Sequence, residues 1–332
     1  MTYALRRILV TIPLLLAVSL VVFALVDALP GDPAVRRFDL HANPEAVKAW
    51  RAEHGLDDPF LVRWGRYVGG VVTRFDFGKS YAHSHPVGED LGRRLQATLE
   101  LTLCALLLAV VVGLGVGILS AAYPRSLFDY AGNLLALGGI SLPVFWLGLL
   151  LWILCTDLLG FPYRSGRAEA PGMATGLYLF ESLFRGHVSL FLEQLRRIFL
   201  PALALSTIPM AVITRMTRAA MLDEIGKDYA VTARAKGLRR RRVILKHVLR
   251  NALIPITTIT GLQFGTLLGG AVLTETIFSW PGLGSYIVEE GVLANDTPVL
   301  VGGILLVATT FILVNLAVDL LYSRIDPRMR RA

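Results

Sequence analysis

Six long apolar blocks, separated by polar connections, constrain what this chain can fold into more than any other feature. A helix needs about 20 apolar residues to cross the hydrocarbon of a bilayer. The blocks run Ile8–Leu29, Leu99–Ala122, Ala131–Leu159, Ile198–Ile213, Ala252–Leu273 and Val299–Tyr322. The fourth is the shortest and carries Pro201 and Pro209. Lipid offers no hydrogen-bond partners, so each block must satisfy its backbone internally. The expected fold class is all-α: a polytopic membrane protein with six transmembrane helices. Composition agrees, since 54% of the 332 residues are hydrophobic, mean hydropathy is +0.59 and only 17% are charged. An ordinary soluble domain carries roughly 25% charged residues.

Arg6 and Arg7 precede the first block, as in a signal peptide. Its apolar stretch exceeds the roughly 7–15 residues of a signal core, and no A-x-A cleavage site follows. It reads as a retained helix. Residues 1–29 are then the first transmembrane helix, 30–97 an extracytoplasmic subdomain, and 98–332 the transmembrane core. The connection Thr214–Asn251 holds eleven Lys or Arg residues, whereas Glu275–Pro298 holds none and carries Glu275, Glu289, Glu290 and Asp296. The tail adds Arg324, Arg328, Arg330 and Arg331. Positive charge marks the cytoplasmic side, so loop 214–251 and both termini are expected in the cytoplasm. The outer segment Pro30–Ala97 is rich in aromatics and has helical periodicity over Pro44–His54. A second outer segment, Gly160–Arg197, mixes Gly and Pro turns with an amphipathic piece around Leu179–Phe199.

The net charge of +8 does not point to nucleic acid. The basic residues cluster beside apolar blocks, where they set orientation and attract anionic lipid. Cys104 and Cys155 lie inside apolar blocks with no redox or zinc spacing. His83 and His85 flank Ser84; without a third ligand they read as loop residues, and no metal site is expected. Gly78-Lys79-Ser80 resembles the end of a phosphate-binding loop, but Thr73 stands where the first Gly belongs. Asp27, Glu100, Asp157, Glu275 and Asp319 all fall near the ends of blocks, where hydration is cheap, so they read as interfacial. A buried one would be a functional candidate.

The basic loop carries the most information. Asp228–Lys236 has helix-forming composition, and Gly237 suits a left-handed C-terminal cap. A second helix is expected from about Arg239 to Asn251, with Pro255 starting the next span. Two readings stand side by side. The loop is solvated and obeys the charge rule, or its Ala230, Ala233 and Ala235 form a small-residue face for a partner's groove.

Asp228–Leu238 (DYAVTARAKGL), RNALIP, ETIFSWPGLG and the tail LYSRIDPRMR resemble the dipeptide/oligopeptide/nickel branch of binding-protein-dependent ABC importer permeases. So do HGLDDPF and FDFGKSY in the outer segment, and the LPGDP that ends the first block. These pieces run in order from about Arg6 to Arg330. The general EAA-x3-G pattern of such permeases is only half met: Val231 and Thr232 replace its Glu and first Ala, while Ala233 and Gly237 fit. The resemblance implies the type I importer permease fold, with the extracytoplasmic subdomain between helices 1 and 2. It also implies that Asp228, Tyr229, Ala230, Thr232, Ala233, Arg234, Ala235, Lys236 and Gly237 form a coupling helix docking on a cytoplasmic ATPase. The implied partners are a second homologous permease, one or two ATPase subunits and an extracytoplasmic substrate-binding protein. ATP and Mg2+ would be bound by the ATPase subunits, with no cofactor in this chain.

The same resemblance places the chain in the cytoplasmic (inner) membrane of a prokaryote and makes di- or oligopeptides the expected substrate. Nickel chelates, glutathione-like peptides and oligosaccharides are rivals within the family. Gly261, Gly265 and Gly269 share a face of the fifth block and permit close helix approach, as do Gly113 and Gly117 in the second. Because the fifth block would border the translocation path, Gln263, Gly265, Thr266 and Gly269 are the candidate path residues. A stand-alone secondary transporter would need midplane charges and inverted repeats. An intramembrane enzyme would need a paired nucleophile and base inside a span. Neither pattern is visible.

Overall fold

The computed structural model describes residues 2–28, 34, 43–158, 160 and 163–325. The LPGDP motif and the tail residues Arg328, Arg330 and Arg331 lie outside these. Among the described residues the chain is helical, with a single isolated antiparallel bridge between Lys79 and Pro86. In order, the helices are α1 (Thr2–Asp27), α2 (Pro44–Glu53), α3 (Phe60–Arg74), α4 (Val87–Ala122), α5 (Leu127–Ser141), α6 (Val144–Ile153), α7 (Tyr178–Phe184) and α8 (Val188–Ile225). They are followed by α9 (Asp228–Ala235), α10 (Arg240–Arg242), α11 (Leu249–Ile277), α12 (Leu283–Tyr286) and α13 (Thr297–Ile325). A π-helical turn, Val243–Val248, joins α10 to α11.

Among the described residues, five helical runs are long and apolar enough to cross a membrane: those of α1, α4, α8 and α13, and the run Arg240–Ile277. A sixth is available if α5 and α6 count as one span, but they meet at 108°. The break was not visible as such in the apolar block Ala131–Leu159. Pro143 forces the preceding Leu142 out of the helical region, to φ −96 and ψ 131.

The opposite correction applies to α8. Its prolines mark a short block in the sequence, yet the helix runs 38 residues through Pro201 and Pro209. A proline withholds the N–H that would bond the carbonyl four residues back. For Pro201 that carbonyl belongs to Arg197, and it accepts instead from the Tyr163 hydroxyl at 3.2 Å. Pro255 likewise lies inside α11 rather than starting it.

The chain divides into two compact units: residues 1–98 with 281–312, and residues 99–280 with 313–332. In the first, α1 packs on α13 through Val22, Val301 and Leu305. Arg63 of α3 pairs with Asp27 at 2.5 Å, and Trp64 donates to Ser19 at 3.2 Å. Asp296 is a buried cap. Its carboxylate accepts from Val299 N–H in the first turn of α13, from Ser80 Oγ at 2.6 Å and from Ala82 N–H at 3.1 Å. Gly78-Lys79-Ser80 is therefore structural: the Ser80 hydroxyl closes a helix cap.

In the second unit α8 packs against α5, α6, α7 and α11. Its approach to α4 depends on glycine. A Cβ on Gly117 would stand 2.6 Å from Thr217 Cβ and 2.8 Å from the Thr214 carbonyl, and one on Gly113 3.0 Å from Ile213. Against the expectation of hydrated span ends, Glu100 and Glu275 are fully buried. Glu100 pairs with Arg167 at 2.5 Å and accepts the Leu179 N–H at 2.6 Å. Arg167 also lies over the Tyr178 ring, 3.7 Å from its centroid, and donates to the Gly176 carbonyl. Segment 163–187 is thus a built strap that supplies a counter-charge. Gln194 reinforces it by donating to the Ala168 carbonyl at 2.9 Å. Within the strap, Glu181 accepts from the Thr175 hydroxyl and from the N–H groups of Ala174 and Thr175. These bonds, with Arg185 nearby, hold its pKa down at about 2.

Two outcomes are expected. Gly117→Leu should destabilise the detergent-purified chain by about 1–3 kcal/mol through overpacking, whereas Gly115→Leu, with nothing within 4 Å of its Cβ position, should not; thermal unfolding checks both. Since the folded pKa of Glu181 lies below its ordinary value of 4.5, its contribution is complete above that pH and disappears as pH falls through about 2. Hydrogen exchange at residues 174–181 should therefore rise across that acid window, and Glu181→Gln should abolish the dependence.

Candidate functional site

The basic loop folds as a short helix on a buried apolar seat. Lys227 precedes α9 in an extended conformation, and Asp228 stands in the first turn, where a negative charge suits the helix dipole. At the other end Gly237 takes φ +77. Leu238 N–H reaches the Ala233 carbonyl at 3.3 Å and Gly237 N–H the Arg234 carbonyl at 2.9 Å. That bond pair is the Schellman motif, and glycine adopts its left-handed residue without a Cβ penalty. Gly237 is where the sequence expected it.

The alanines are not all where a docking face would need them. Ala230 and Ala233 are buried, packed with Ala121, Met221, Val243 and Val248, while Ala235 is exposed. The outward face consists of Asp228, Val231, Thr232, Ala235 and Lys236, and Val231 is 49% exposed. The small residues Ala230 and Ala233 thus let α9 approach its own protein closely. Val231, which departs from the general permease pattern, stands on the outer side. Tyr229 is half-buried, its hydroxyl donating to Glu224 at 2.5 Å.

Two guanidinium groups tie the loop down. Arg234 donates to the Ile225 carbonyl at the end of α8 at 2.8 Å. Arg240 donates to the Ala122 carbonyl at the end of α4 and lies 4.9 Å from the Tyr123 ring centroid. Both satisfy carbonyls at helix C-termini, where cations are favoured. Beneath α9 is a cavity of about 450 Å³, lined chiefly by Ala122, Pro124, Leu222, Ile225, Leu238 and Ile244. Arg239, Arg241 and Arg242 are exposed beside the helix and give that side a positive field, while Lys227 is paired with Glu224 and Asp223.

The candidate path residues share α11 but differ in surroundings. Gly265 is buried, Gln263 is half-buried, and Thr266 is exposed with its hydroxyl on the Gln263 carbonyl at 2.8 Å. Gly269 is exposed, and nothing lies within 4 Å of where its Cβ would be. The glycine stripe is therefore not a packed seam along its whole length within this chain. In the other unit, His85 pairs with Asp90 at 2.9 Å and His83 faces Glu290 at 3.6 Å. Among the described residues no group of three or more His, Cys, Asp or Glu side chains is placed to hold a metal ion.

The long apolar helices, with the short helix α9 seated beyond their ends, define a multi-pass helical membrane protein. The family of binding-protein-dependent transport system inner membrane components matches residues 113–331, and the N-terminal model of such components matches residues 1–102. The chain belongs to this family of ABC importer permeases. It is a multi-pass inner-membrane transport subunit, and in this family ATP hydrolysis resides in partner subunits. It is 44% identical over 333 residues to the dipeptide transport system permease protein DppB of Alkalihalophilus pseudofirmus, covering 99% of each chain. It is also 44% identical to DppB of Escherichia coli, over 99% of this chain and 98% of that one. The glutathione transport system permease protein GsiC of Salmonella paratyphi A is 38% identical over 99% of each.

Replacing Gly237 with Val should strain the left-handed turn and cost about 1 kcal/mol or more locally. Hydrogen exchange across residues 228–238 should rise while the spans keep their protection.

Proposed function

We propose that this chain is one of two permease subunits of an ATP-driven importer of di- or short oligopeptides. The coupling element is α9, and its docking face is Asp228, Val231, Thr232, Ala235 and Lys236. The observation that carries the reading is the division of α9 into a buried face seated on α4 and α8 and a face that is exposed among the described residues. Such a helix is anchored well enough to transmit a displacement and open enough to receive one. Gly237 ends it sharply, so the exposed face is presented as a discrete knob.

Six crossings, with α5 and α6 forming one bent span, put both termini and α9 in the cytoplasm. The eleven basic residues of 214–251 favour that side. The described part of 30–97 then lies outside, where a substrate-binding protein delivers its ligand. Residues Gln263, Thr266 and Gly269 line the path or the contact with the second permease. Peptides are favoured by the full-length similarity to dipeptide permeases. Glutathione, a tripeptide with two carboxylates, is the second substrate to test, given the similarity to a glutathione permease.

Gentle extraction of the tagged chain should recover a second permease and at least one ATPase. Val231→Arg should remove the ATPase without lowering the thermal stability of the chain, because the residue touches solvent. Wild-type recovery of the ATPase with that variant would overturn the docking face. A chain that purifies alone and moves solute in liposomes would be a secondary transporter instead. In proteoliposomes carrying the whole complex and its binding protein, ATP-dependent uptake of a labelled dipeptide exceeding that of glutathione is the expected result.

A further inference from the structure

We propose that the ion pair between Asp129 and Arg218 is the positioning contact that carries displacement of α9 into the bent pair α5–α6. The inference rests on the coupling role of α9 argued above.

Asp129 lies in the first turn of α5 and is 4% exposed. Arg218 reaches it from α8 as a two-pronged fork, Nε to Oδ1 at 2.6 Å and Nη2 to Oδ2 at 2.9 Å. The same carboxylate accepts the Arg125 N–H at 3.0 Å and the Asn133 amide at 3.0 Å. One buried acid therefore gathers the α4–α5 turn, the first two turns of α5 and the end of α8. Forked pairs of this type fix orientation as well as distance.

The position of the fork on α8 gives it a role beyond stability. Arg218 stands one turn before Met221, and Met221 is fully buried in the cluster that seats Ala230 and Ala233 of α9. A push on α9 is thus delivered to the stretch of α8 that holds Arg218. On the α4 side that stretch meets Gly117 through Thr214 and Thr217, an apolar and backbone contact. On the α5 side the contact is a directional charge pair. Apolar contacts are non-directional. Breaking a forked pair with a buried member leaves an uncompensated charge and is strongly resisted. So α5 follows α8, and the 108° bend at Leu142–Pro143 turns that motion into a change of angle for α6.

The test uses the complete complex in proteoliposomes with its binding protein, measuring ATP hydrolysis and dipeptide uptake on the same preparation. Asp129→Asn keeps the shape but loses the charge, and Arg218→Lys keeps the charge but loses the fork. In both, ATPase subunits should still co-purify and hydrolysis should persist. Peptide moved per ATP should fall by about tenfold in the first, within the usual range of coupling between sites, and by less in the second. If Asp129→Asn does not assemble, Arg218→Lys carries the test with the same readings. Unchanged uptake per ATP in every variant that assembles would overturn the proposal. So would hydrolysis and uptake falling in proportion, which is the signature of a merely structural pair. Failure of the docking reading itself would look different: the ATPase would remain bound to Val231→Arg.

Discussion

The closeness of α8 to its neighbours is the constraint on which the second unit depends. Without side chains at Gly113 and Gly117, α4 lies directly on the backbone of α8 at Met210 and Thr214. In a lipid-facing protein apolar burial gives helices little reason to associate, so packing and interhelical polar contacts must do it. The unit uses both, pairing glycine contacts with the Asp129–Arg218 fork. The helix that serves as hub is also one that two prolines would weaken. The Tyr163 hydroxyl on the Arg197 carbonyl repairs one of those breaks from outside the helix, so the hub can be long despite its composition.

At the end of this hub, α9 has only eight residues. Isolated helices shorter than about 12–15 residues are marginal in water. Tertiary contacts therefore define it: the buried Ala230 and Ala233, the Gly237 turn, and the bond from Arg234 to the end of α8. Its shape is fixed before any partner arrives, which lowers the ordering cost of docking.

Much of this was legible from local pattern. The apolar blocks locate the long helices, because span length and composition are set by the bilayer. Gly237 was readable because a helix end beside glycine has few alternatives. The inward turn of Ala230 and Ala233 was not: α9 carries small residues on several sides, so periodicity cannot choose a face. Nor were the charge pairs. Glu100 and Arg167 are 67 residues apart, and Asp129 and Arg218 are 89 apart. Acids near the ends of apolar blocks look interfacial until the fold brings a cation to them. The prolines misled in both directions, since their effect depends on whether another group takes up the freed carbonyl, as at Pro201, or the backbone simply turns, as at Pro143.

The Glu100–Arg167 pair also bears on how the chain is made. Chains emerge from the ribosome N-terminus first, and both groups that neutralise Glu100 come late: Arg167 follows by 67 residues and the Leu179 N–H by 79. Until then the carboxylate has no counter-charge, and an unpaired acid is expensive in a bilayer. The Glu100 end of α4 therefore has to stay in contact with water or bind a proton while α5 and α6 are being inserted. Biogenesis acquires an order from this one acid: α4 is made first, and only the later arrival of the strap gives its carboxylate a counter-charge.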